Sequence, residues 1–265
     1  MDAPRIFTPE YYQRMRDLES ISWWNAGMRD VAAALLSDVQ LPERGRLLDV
    51  GCGSGQTMTW FSRRYPGWQR VGLDVAFEGL AAARAFGVTT VMSASALDLP
   101  IPSASVDLVI TLDVLQHLPL GGGDARALAE MQRVLKPGGH LFVRTNAQAF
   151  PAVADDHTFQ FHKYRTDELR GKLQEARLNV VRLGRVNALL GLAEIPRELR
   201  ARRDEQSHSY HGLLAQPRSE QPWSAHLKRA WLQLEGQALR HGASLPLGRT
   251  LLALCRKPID ANQAG

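Results

Sequence analysis

Residues 48–55 read Leu48-Asp49-Val50-Gly51-Cys52-Gly53-Ser54-Gly55 and carry the strongest structural signal in the chain. An apolar strand runs into a loop of alternating glycines, and an amphipathic segment follows from Gln56. Glycine is required where the backbone turns at positive φ, or where a ligand lies against the main chain. In a doubly wound sheet such a loop lies beside the crevice in which ligands bind.

Apolar runs alternate with amphipathic segments on both sides of this loop. Strands with apolar residues on both faces, separated by helices, are typical of a parallel sheet covered on both sides. The predicted strands are 46–51, 68–75, 88–94, 106–112, 140–146, 179–187 and 248–258. The predicted helices include 28–36, 56–65, 77–86, 124–135 and 166–176. The pattern predicts one doubly wound α/β domain.

Three parts of the 265-residue chain are distinguished by this pattern. Residues 46–188 and 248–258 form the predicted Rossmann-like domain, and residues 1–45 precede it with clustered aromatic side chains. This N-terminal part is expected to pack on the sheet edge, to cover a crevice, or both. Residues 189–247 are the least periodic part and look like a helical insertion before the last strand. They are expected to cover the substrate, with a dimer contact as the alternative.

Further polar residues accompany the glycine loop. Asp74 closes the second strand 19 residues after Gly55, where an acid can bind ribose hydroxyls. Asp49 is a charge within an apolar strand, which suggests that it braces the loop. A nicotinamide dehydrogenase would carry G-x-G-x-x-G, but Gln56 stands where the last glycine would be. The spacing therefore favours a ligand without a pyrophosphate.

The segment Asp49–Gly55 resembles motif I of the class I S-adenosylmethionine-dependent methyltransferases. Asp74 resembles the acid at the end of their second strand. Residues 96–102 with 106–109, and the helix and turn at 130–139, are similar to further family segments. Together these cover about residues 45–146, and the nearest likeness is to the ubiquinone and menaquinone type of small-molecule methyltransferases. The resemblance implies a seven-stranded sheet of order 3-2-1-4-5-7-6, with the last strand antiparallel.

The resemblance also implies that S-adenosyl-L-methionine is the cofactor, and it implies a set of cofactor-binding residues. The glycines would contact the methionine portion, Asp74 the ribose, the segment at 95–98 the adenine, and the end of the fourth strand would pass beneath. Many relatives have aspartate at the position of Ser95, so the adenine contact either stays with Ser95 or moves to Asp98. Asp98 is equally well explained as a turn residue. The full set is Asp49, Gly51, Gly53, Gly55, Asp74, Val75, Ser95, Ala96, Asp98, Thr111 and Leu112.

Methyl transfer requires alignment of the acceptor and, for a hydroxyl or acidic carbon, removal of a proton. Histidines near strand ends are candidate bases. His117 follows the fourth strand, and His162 and Tyr164 follow the fifth. For each of the three, hydrogen bonding to neighbouring loops is the competing explanation.

Composition narrows the partners. The chain is 45% apolar and 22% charged, and its net charge of +5 is spread among acids rather than gathered into a stripe. This charge pattern predicts no nucleic-acid partner, the absence of an apolar segment near ~20 residues predicts no membrane span, and no Cys or His spacing suits a metal. With the resemblance, we expect a small-molecule acceptor, no nucleic acid, no membrane and no metal, in a cytoplasmic monomer or homodimer. Two cysteines do not make a disulfide framework.

The expected function is S-adenosylmethionine-dependent methyl transfer to an O, C or N atom of a small molecule. The rival is a non-catalytic protein that uses the same fold for binding or as a scaffold. Because the cofactor half follows known motifs, substrate choice is expected from 1–29, 147–165 and 189–247, where aromatic residues concentrate. Replacing 192–244 with a short turn is expected to abolish methyl transfer but not cofactor binding.

Overall fold

The computed structural model describes residue 12 and residues 22–148, 162–189, 192, 222–244 and 246–259. The chain forms one seven-stranded sheet. Its strands are β1 (Arg46–Val50), β2 (Gln69–Asp74), β3 (Val91–Ser93), β4 (Val106–Leu112), β5 (Leu135–Asn146), β6 (Asn179–Val186) and β7 (Thr250–Arg256).

The sheet has the order β3-β2-β1-β4-β5-β7-β6. The first five strands of this order are parallel, whereas β7 runs antiparallel to both β5 and β6. The predicted fold class and strand order are therefore confirmed. The carboxyl ends of β1, β2 and β4 lie side by side at one edge, which brings the glycine loop, Asp74 and the end of β4 together.

Helices cover both faces because successive strand residues point to opposite sides. Leu48 of β1 lies in the core formed with the helices Gly123–Val134 and Thr166–Glu175, whereas its neighbour Leu47 lies in the core formed with the helices Trp23–Leu36 and Pro222–Arg240. The helices are α1 (Trp23–Leu36), α2 (Gln56–Arg64), α3 (Phe77–Ala85), α4 (Gly123–Val134), α5 (Thr166–Glu175) and α6 (Pro222–Arg240), with a 3₁₀ turn at Leu115–His117. In the described parts of the chain, no helix is both long and apolar enough to cross a membrane.

Some predicted boundaries are wrong for local reasons. Helix α1 begins at Trp23 rather than Met28, because the Ser22 hydroxyl accepts a hydrogen bond from the Asn25 N–H and caps the helix. Strand β3 is shorter than predicted. Strand β5 begins at Leu135 rather than His140, since Leu135 already pairs with Val106 before a register shift.

Helices α1 and α6 pack closely through glycines. A Cβ on Gly27 would lie 2.7 Å from Leu232 Cδ1, and one on Gly236 would lie 3.0 Å from Val31 Cγ2. Outside this contact, the Arg229 guanidinium donates to the Asp30 carboxylate at 2.7 Å. Helix α6 is thereby fixed against α1.

The described end of the insertion, helix α6, belongs to the core of the domain. Leu232 and Leu239 are 1% exposed and pack with the sheet-facing residues of α1. The Glu235 carboxylate accepts hydrogen bonds from the N–H groups of Asn187 and Ala188 just after β6. A replacement across 192–244 would remove these contacts, so it is unsuitable for testing a cover. The proposed cover is left to residues 193–221, which lie outside the described residues.

Candidate functional site

The glycine loop connects the carboxyl end of β1 to α2 with three residues at positive φ. Gly51, Gly53 and Gly55 have φ values of 77°, 48° and 75°, a region that side chains with a Cβ rarely adopt. The N–H groups of Gly51 and Cys52 donate to the Leu73 carbonyl at 2.7 and 2.9 Å. A Cβ on Gly51 would lie 2.1 Å from Val114 Cγ2. The loop is therefore held between β2 and the segment that follows β4.

Asp74 stabilises this loop directly. Its Oδ2 accepts a hydrogen bond from the Gly53 N–H at 2.8 Å, and its Oδ1 accepts one from the Ala76 N–H, also at 2.8 Å. Each carboxylate oxygen has a second lone-pair direction. The half-buried carboxylate can therefore shape the loop and still accept hydroxyl hydrogen bonds from a ligand.

Polar groups are buried beneath the loop. Asp49 is 1% exposed in β1, and Thr111 of β4, which pairs with Val50, is fully buried. None of the described residues forms a hydrogen bond with Thr111 Oγ1. Burial, together with the charges of Asp49 and Asp74, raises the pKa of the Cys52 thiol far above its usual value. The thiol is therefore protonated and packs as an apolar group.

The residues predicted to contact adenine follow β2 and β3. Val75 is 68% exposed, an unusual exposure for an apolar side chain beside a glycine loop. Ser95 Oγ accepts from the Leu97 N–H at 3.1 Å, and the Ser95 carbonyl accepts from the Asp98 N–H at 3.2 Å. Ala96 is buried and Asp98 is exposed. Both alternatives for Asp98, adenine contact and turn residue, stay open.

Tyr12 brings the N-terminal part of the chain to the loop. Its side chain is 7% exposed. A Cβ on Gly79 of α3 would lie 2.9 Å from the Tyr12 ring, and one on Gly53 would lie 3.6 Å from it. The ring thus lies across Gly53 and Gly79. This placement supports both roles expected for residues 1–45, packing and covering.

His117 lies at the end of the 3₁₀ turn after β4, where Gln116 organises the strand ends. The Gln116 side-chain oxygen accepts hydrogen bonds from Thr145 Oγ1 at 3.2 Å and from the Asn146 N–H at 3.1 Å. The His117 N–H donates to the Val114 carbonyl, and Val114 contacts the glycine loop. Burial lowers the pKa of His117, although the charge of Asp113 opposes this effect.

His162 and Tyr164 lie against the same turn but are held by other groups. The His162 N–H donates to the Gln116 carbonyl at 2.9 Å, and its Nε2 lies 2.7 Å from Glu168 Oε1. Tyr164 is fully buried, and its hydroxyl is within hydrogen-bond distance of the Leu115 carbonyl and the Asp124 carboxylate. Because its hydroxyl is buried against these groups, Tyr164 supports the turn, and we do not include it among the proposed catalytic groups.

A cleft opens beside the loop, between α1, α2 and the sheet. The space between its walls, including the part open to solvent, is about 550 Å³. Arg144, at the end of β5, forms an ion pair with Asp113, in which Nη2 and Oδ2 are 2.5 Å apart. The Arg144 guanidinium carbon lies 4.9 Å from the centre of the Trp24 ring. The cleft walls include Arg29, Gln56, Trp60, Leu112, Phe142 and Arg144.

The sequence pointed to Leu112 and to the aromatic side chains of residues 1–45, which include Trp24. It did not point to five other site residues: Arg29, Gln56, Asp113, Gln116 and Arg144. One signal was available for Arg144, since it is a charge at the end of the otherwise apolar run Leu141-Phe142-Val143. Nothing in the sequence distinguishes Gln116, whose role depends on the register of β4 and β5.

Comparison with known families assigns the part of the chain that forms this site. Residues 48–143 match the family model described as "Methyltransferase domain". The chain contains a methyltransferase domain. The match begins within β1 and ends within β5, so the methyltransferase domain includes the glycine loop, Asp74, the 93–98 segment and His117.

Curated relatives share this domain rather than a whole chain. A bovine (Bos taurus) U6 snRNA (guanine-N(2))-methyltransferase THUMPD2 is 32% identical over 125 residues, which are 44% of this chain and 25% of the relative. The ubiquinone/menaquinone biosynthesis C-methyltransferase UbiE of Syntrophotalea carbinolica is 34% identical over 119 residues, covering 42% of this chain and 47% of the relative. The chain thus spans less than half the length of either protein.

Solved structures extend the likeness to the whole fold. The Haemonchus contortus phosphoethanolamine N-methyltransferase 2, in complex with S-adenosyl-L-methionine, superposes with a TM-score of 0.64 at 15% identity. The alignment covers 96% of this chain and 58% of that one. At this identity the likeness shows the methyltransferase fold.

The residues of the site fit S-adenosylmethionine, the cofactor of this family. The glycine loop turns at the end of β1 through three residues at positive φ, Asp74 retains acceptor directions for two ribose hydroxyls, and Val75 exposes an apolar surface beside it. The buried Thr111 hydroxyl at the end of β4 offers a further polar group. These features lie along the adjacent ends of β2, β1 and β4.

Proposed function

We propose that the chain transfers a methyl group from S-adenosylmethionine to an O, C or N atom of a small molecule. One observation carries this proposal: the Asp74 carboxylate holds the Gly53 N–H of a three-glycine loop at positive φ, within the matched methyltransferase domain. A protein that had lost cofactor binding would not be expected to retain both the glycine loop and Asp74, which holds the loop and can bind the ribose.

The proposed cofactor contacts follow the sheet edge. Asp74 accepts hydrogen bonds from the ribose hydroxyls, and Val75 and the 95–98 segment border the adenine. The glycines and the end of β4 at Thr111 and Leu112 contact the methionine portion. When bound, the cofactor supplies an electrophilic methyl group on a positively charged sulfur. The protein then has to orient the acceptor in line, exclude water and take up a proton.

His117 is the proposed proton acceptor for an acidic nucleophile. It is only three residues beyond Val114, which contacts the glycine loop. Because burial lowers its pKa, the imidazole is neutral near neutral pH and can accept a proton. His162 is the second candidate, and its contact with the Glu168 carboxylate orients its ring.

The cleft supports a small acceptor rather than a nucleic acid. Its walls combine aromatic and aliphatic side chains with a few polar groups, the usual composition of a small-molecule site. One relative is named for methylating an RNA, but its similarity to this chain is confined to a quarter of its length. A cytoplasmic location, and a monomeric or homodimeric state, stay predictions.

A screen with methyl-deuterated S-adenosylmethionine tests the proposal. The purified chain is incubated with small-molecule extracts, and mass spectrometry searches for products that gain one deuterated methyl group. Asp74→Ala is the negative control, and Asp107→Ala is the matched acid at the opposite edge of the sheet. We expect labelled products with wild type and Asp107→Ala only. Cofactor binding without any labelled product, across extracts and RNA alike, would favour the non-catalytic rival.

A further inference from the structure

The cleft beside the glycine loop contains an arginine that the proposed cofactor contacts do not use. Arg144 lies two residues before the end of β5 at Asn146, and its side chain is only 14% exposed. An arginine is rarely buried to this extent without a specific partner. Its Nε and Nη2 both donate to Asp113 Oδ2, at 3.0 and 2.5 Å.

The ion pair with Asp113 leaves part of the guanidinium unused. A guanidinium has five N–H donors in a fixed plane, and Asp113 receives two of them. Among the residues that the structure describes, no other side chain or carbonyl accepts a hydrogen bond from Arg144. The Trp24 ring, 4.9 Å from the guanidinium carbon, holds the plane in place. The remaining N–H groups therefore form a fixed donor edge.

The position of Arg144 along the sheet separates it from the proposed cofactor contacts. Asp74 ends β2, the glycine loop follows β1, and Thr111 is the next-to-last residue of β4; these are three adjacent strands. Arg144 lies on β5, the strand beside β4 and, of these four strands, the one farthest from Asp74. Neighbouring strands are about 4.8 Å apart, so Arg144 lies roughly 14 Å across the sheet from Asp74. This is the side on which an acceptor must lie if the cofactor follows β2, β1 and β4.

The cleft also contains a second cation and an apolar wall. Arg29 of α1 donates to Gln56 Oε1 at 3.2 Å, next to the glycine loop. Trp60 and Phe142 line the same cleft. A ring or hydrocarbon body fits such a wall, whereas the positive groups suit a carboxylate or a phosphate.

We propose that the methyl acceptor carries a carboxylate or phosphate group that binds the free edge of the Arg144 guanidinium, with its apolar body against Trp60. This inference rests on the proposed function, because it takes the cofactor to occupy the ends of β2, β1 and β4. Asp113 and Trp24 act as positioning residues that fix the guanidinium.

Binding of paired probes tests this assignment. Phenylacetate, phenyl phosphate and the neutral phenylacetamide are titrated by ligand-observed NMR, with and without S-adenosylhomocysteine. We expect wild type to bind at least one anion about tenfold or more tightly than the amide, as for a hydrogen-bonded charge. Preference for the carboxylate or the phosphate identifies the group. Equal or undetectable binding of all three probes would overturn the inference.

Variants then assign the preference to Arg144. Arg144→Met should remove the anion preference while leaving amide and S-adenosylhomocysteine affinities within about twofold, and Arg144→Lys should restore part of it. Arg256→Met is the matched control, since Arg256 pairs with His140 near the opposite end of β5. If Arg144→Met instead weakens S-adenosylhomocysteine about tenfold, the guanidinium binds the cofactor and the inference is wrong. If wild type discriminates anions but binds no S-adenosylhomocysteine, the proposed function fails and the anion site stands.

Discussion

Asp74→Ala tests whether Asp74 supports the glycine loop and binds the ribose of the cofactor. In the structure, the carboxylate accepts two backbone hydrogen bonds, from Gly53 and Ala76, and each of its oxygens has a further lone pair that can accept from the ribose. Hydrogen bonds to charged groups contribute about 1.5–3 kcal/mol. We therefore expect the variant to weaken S-adenosylmethionine by that amount, roughly 10- to 150-fold in Kd.

Asp107→Ala is the matched control for this variant. Asp107 also accepts one backbone and one further hydrogen bond, from the Arg46 N–H and the Lys136 ammonium, both at 2.8 Å. It lies at the opposite edge of the sheet, at the start of β4. Calorimetry should show cofactor affinity within about twofold of wild type for Asp107→Ala. Unchanged affinity in Asp74→Ala, or an equal loss in both variants, would show that the ribose is bound elsewhere.

Three further predictions concern the stability of the folded chain. Gly51→Ala should lower the free energy of unfolding in urea by about 2–5 kcal/mol, because the new Cβ clashes with a neighbour and the backbone is left-handed. Gly87→Ala is the control: at φ 81° with no atom near its Cβ, it should cost only about 1–2 kcal/mol. Equal losses in the two variants would show that the clash does not contribute. Glu235→Gln should lower the free energy of unfolding by about 1–3 kcal/mol, because an amide NH₂ then faces the N–H groups after β6. An unchanged urea midpoint would show that these hydrogen bonds do not stabilise the chain. For Asp124, burial raises the pKa, but hydrogen bonds from Lys172 and Tyr164 outweigh it and hold the pKa below 3.8. Its contribution to stability is thus complete above about pH 4 and is lost as pH falls through the lowered pKa, so Asp124→Asn should flatten the acid limb of a stability–pH curve.

The sheet was predictable because its information is local. Strands β1, β4 and β7 are apolar on both faces, and the neighbouring residues Leu47 and Leu48 already imply that helices cover both sides of the sheet. The strand order came from the family resemblance. The glycine loop and Asp74 were predictable for the same reason, since positive φ and a ribose acceptor demand particular residue types at short spacing.

The cleft was not predictable, because it depends on residues far apart in sequence. Arg144 meets Asp113 only through the register of β4 and β5, and Trp24 reaches Arg144 only because α1 packs on that face. Periodicity places an amphipathic segment on the sheet but does not specify which helix it packs against. The contact of α6 with α1 therefore required the structure.

Calorimetric titration of the wild-type chain with S-adenosylmethionine and S-adenosylhomocysteine tests the assignment of the site. The structure predicts that each ligand binds one site per chain, and that Asp74→Ala weakens both while Asp107→Ala weakens neither. Absence of binding by either ligand at millimolar concentration would contradict it, because a loop held by Asp74 at the ends of β1 and β2 would then have some other ligand.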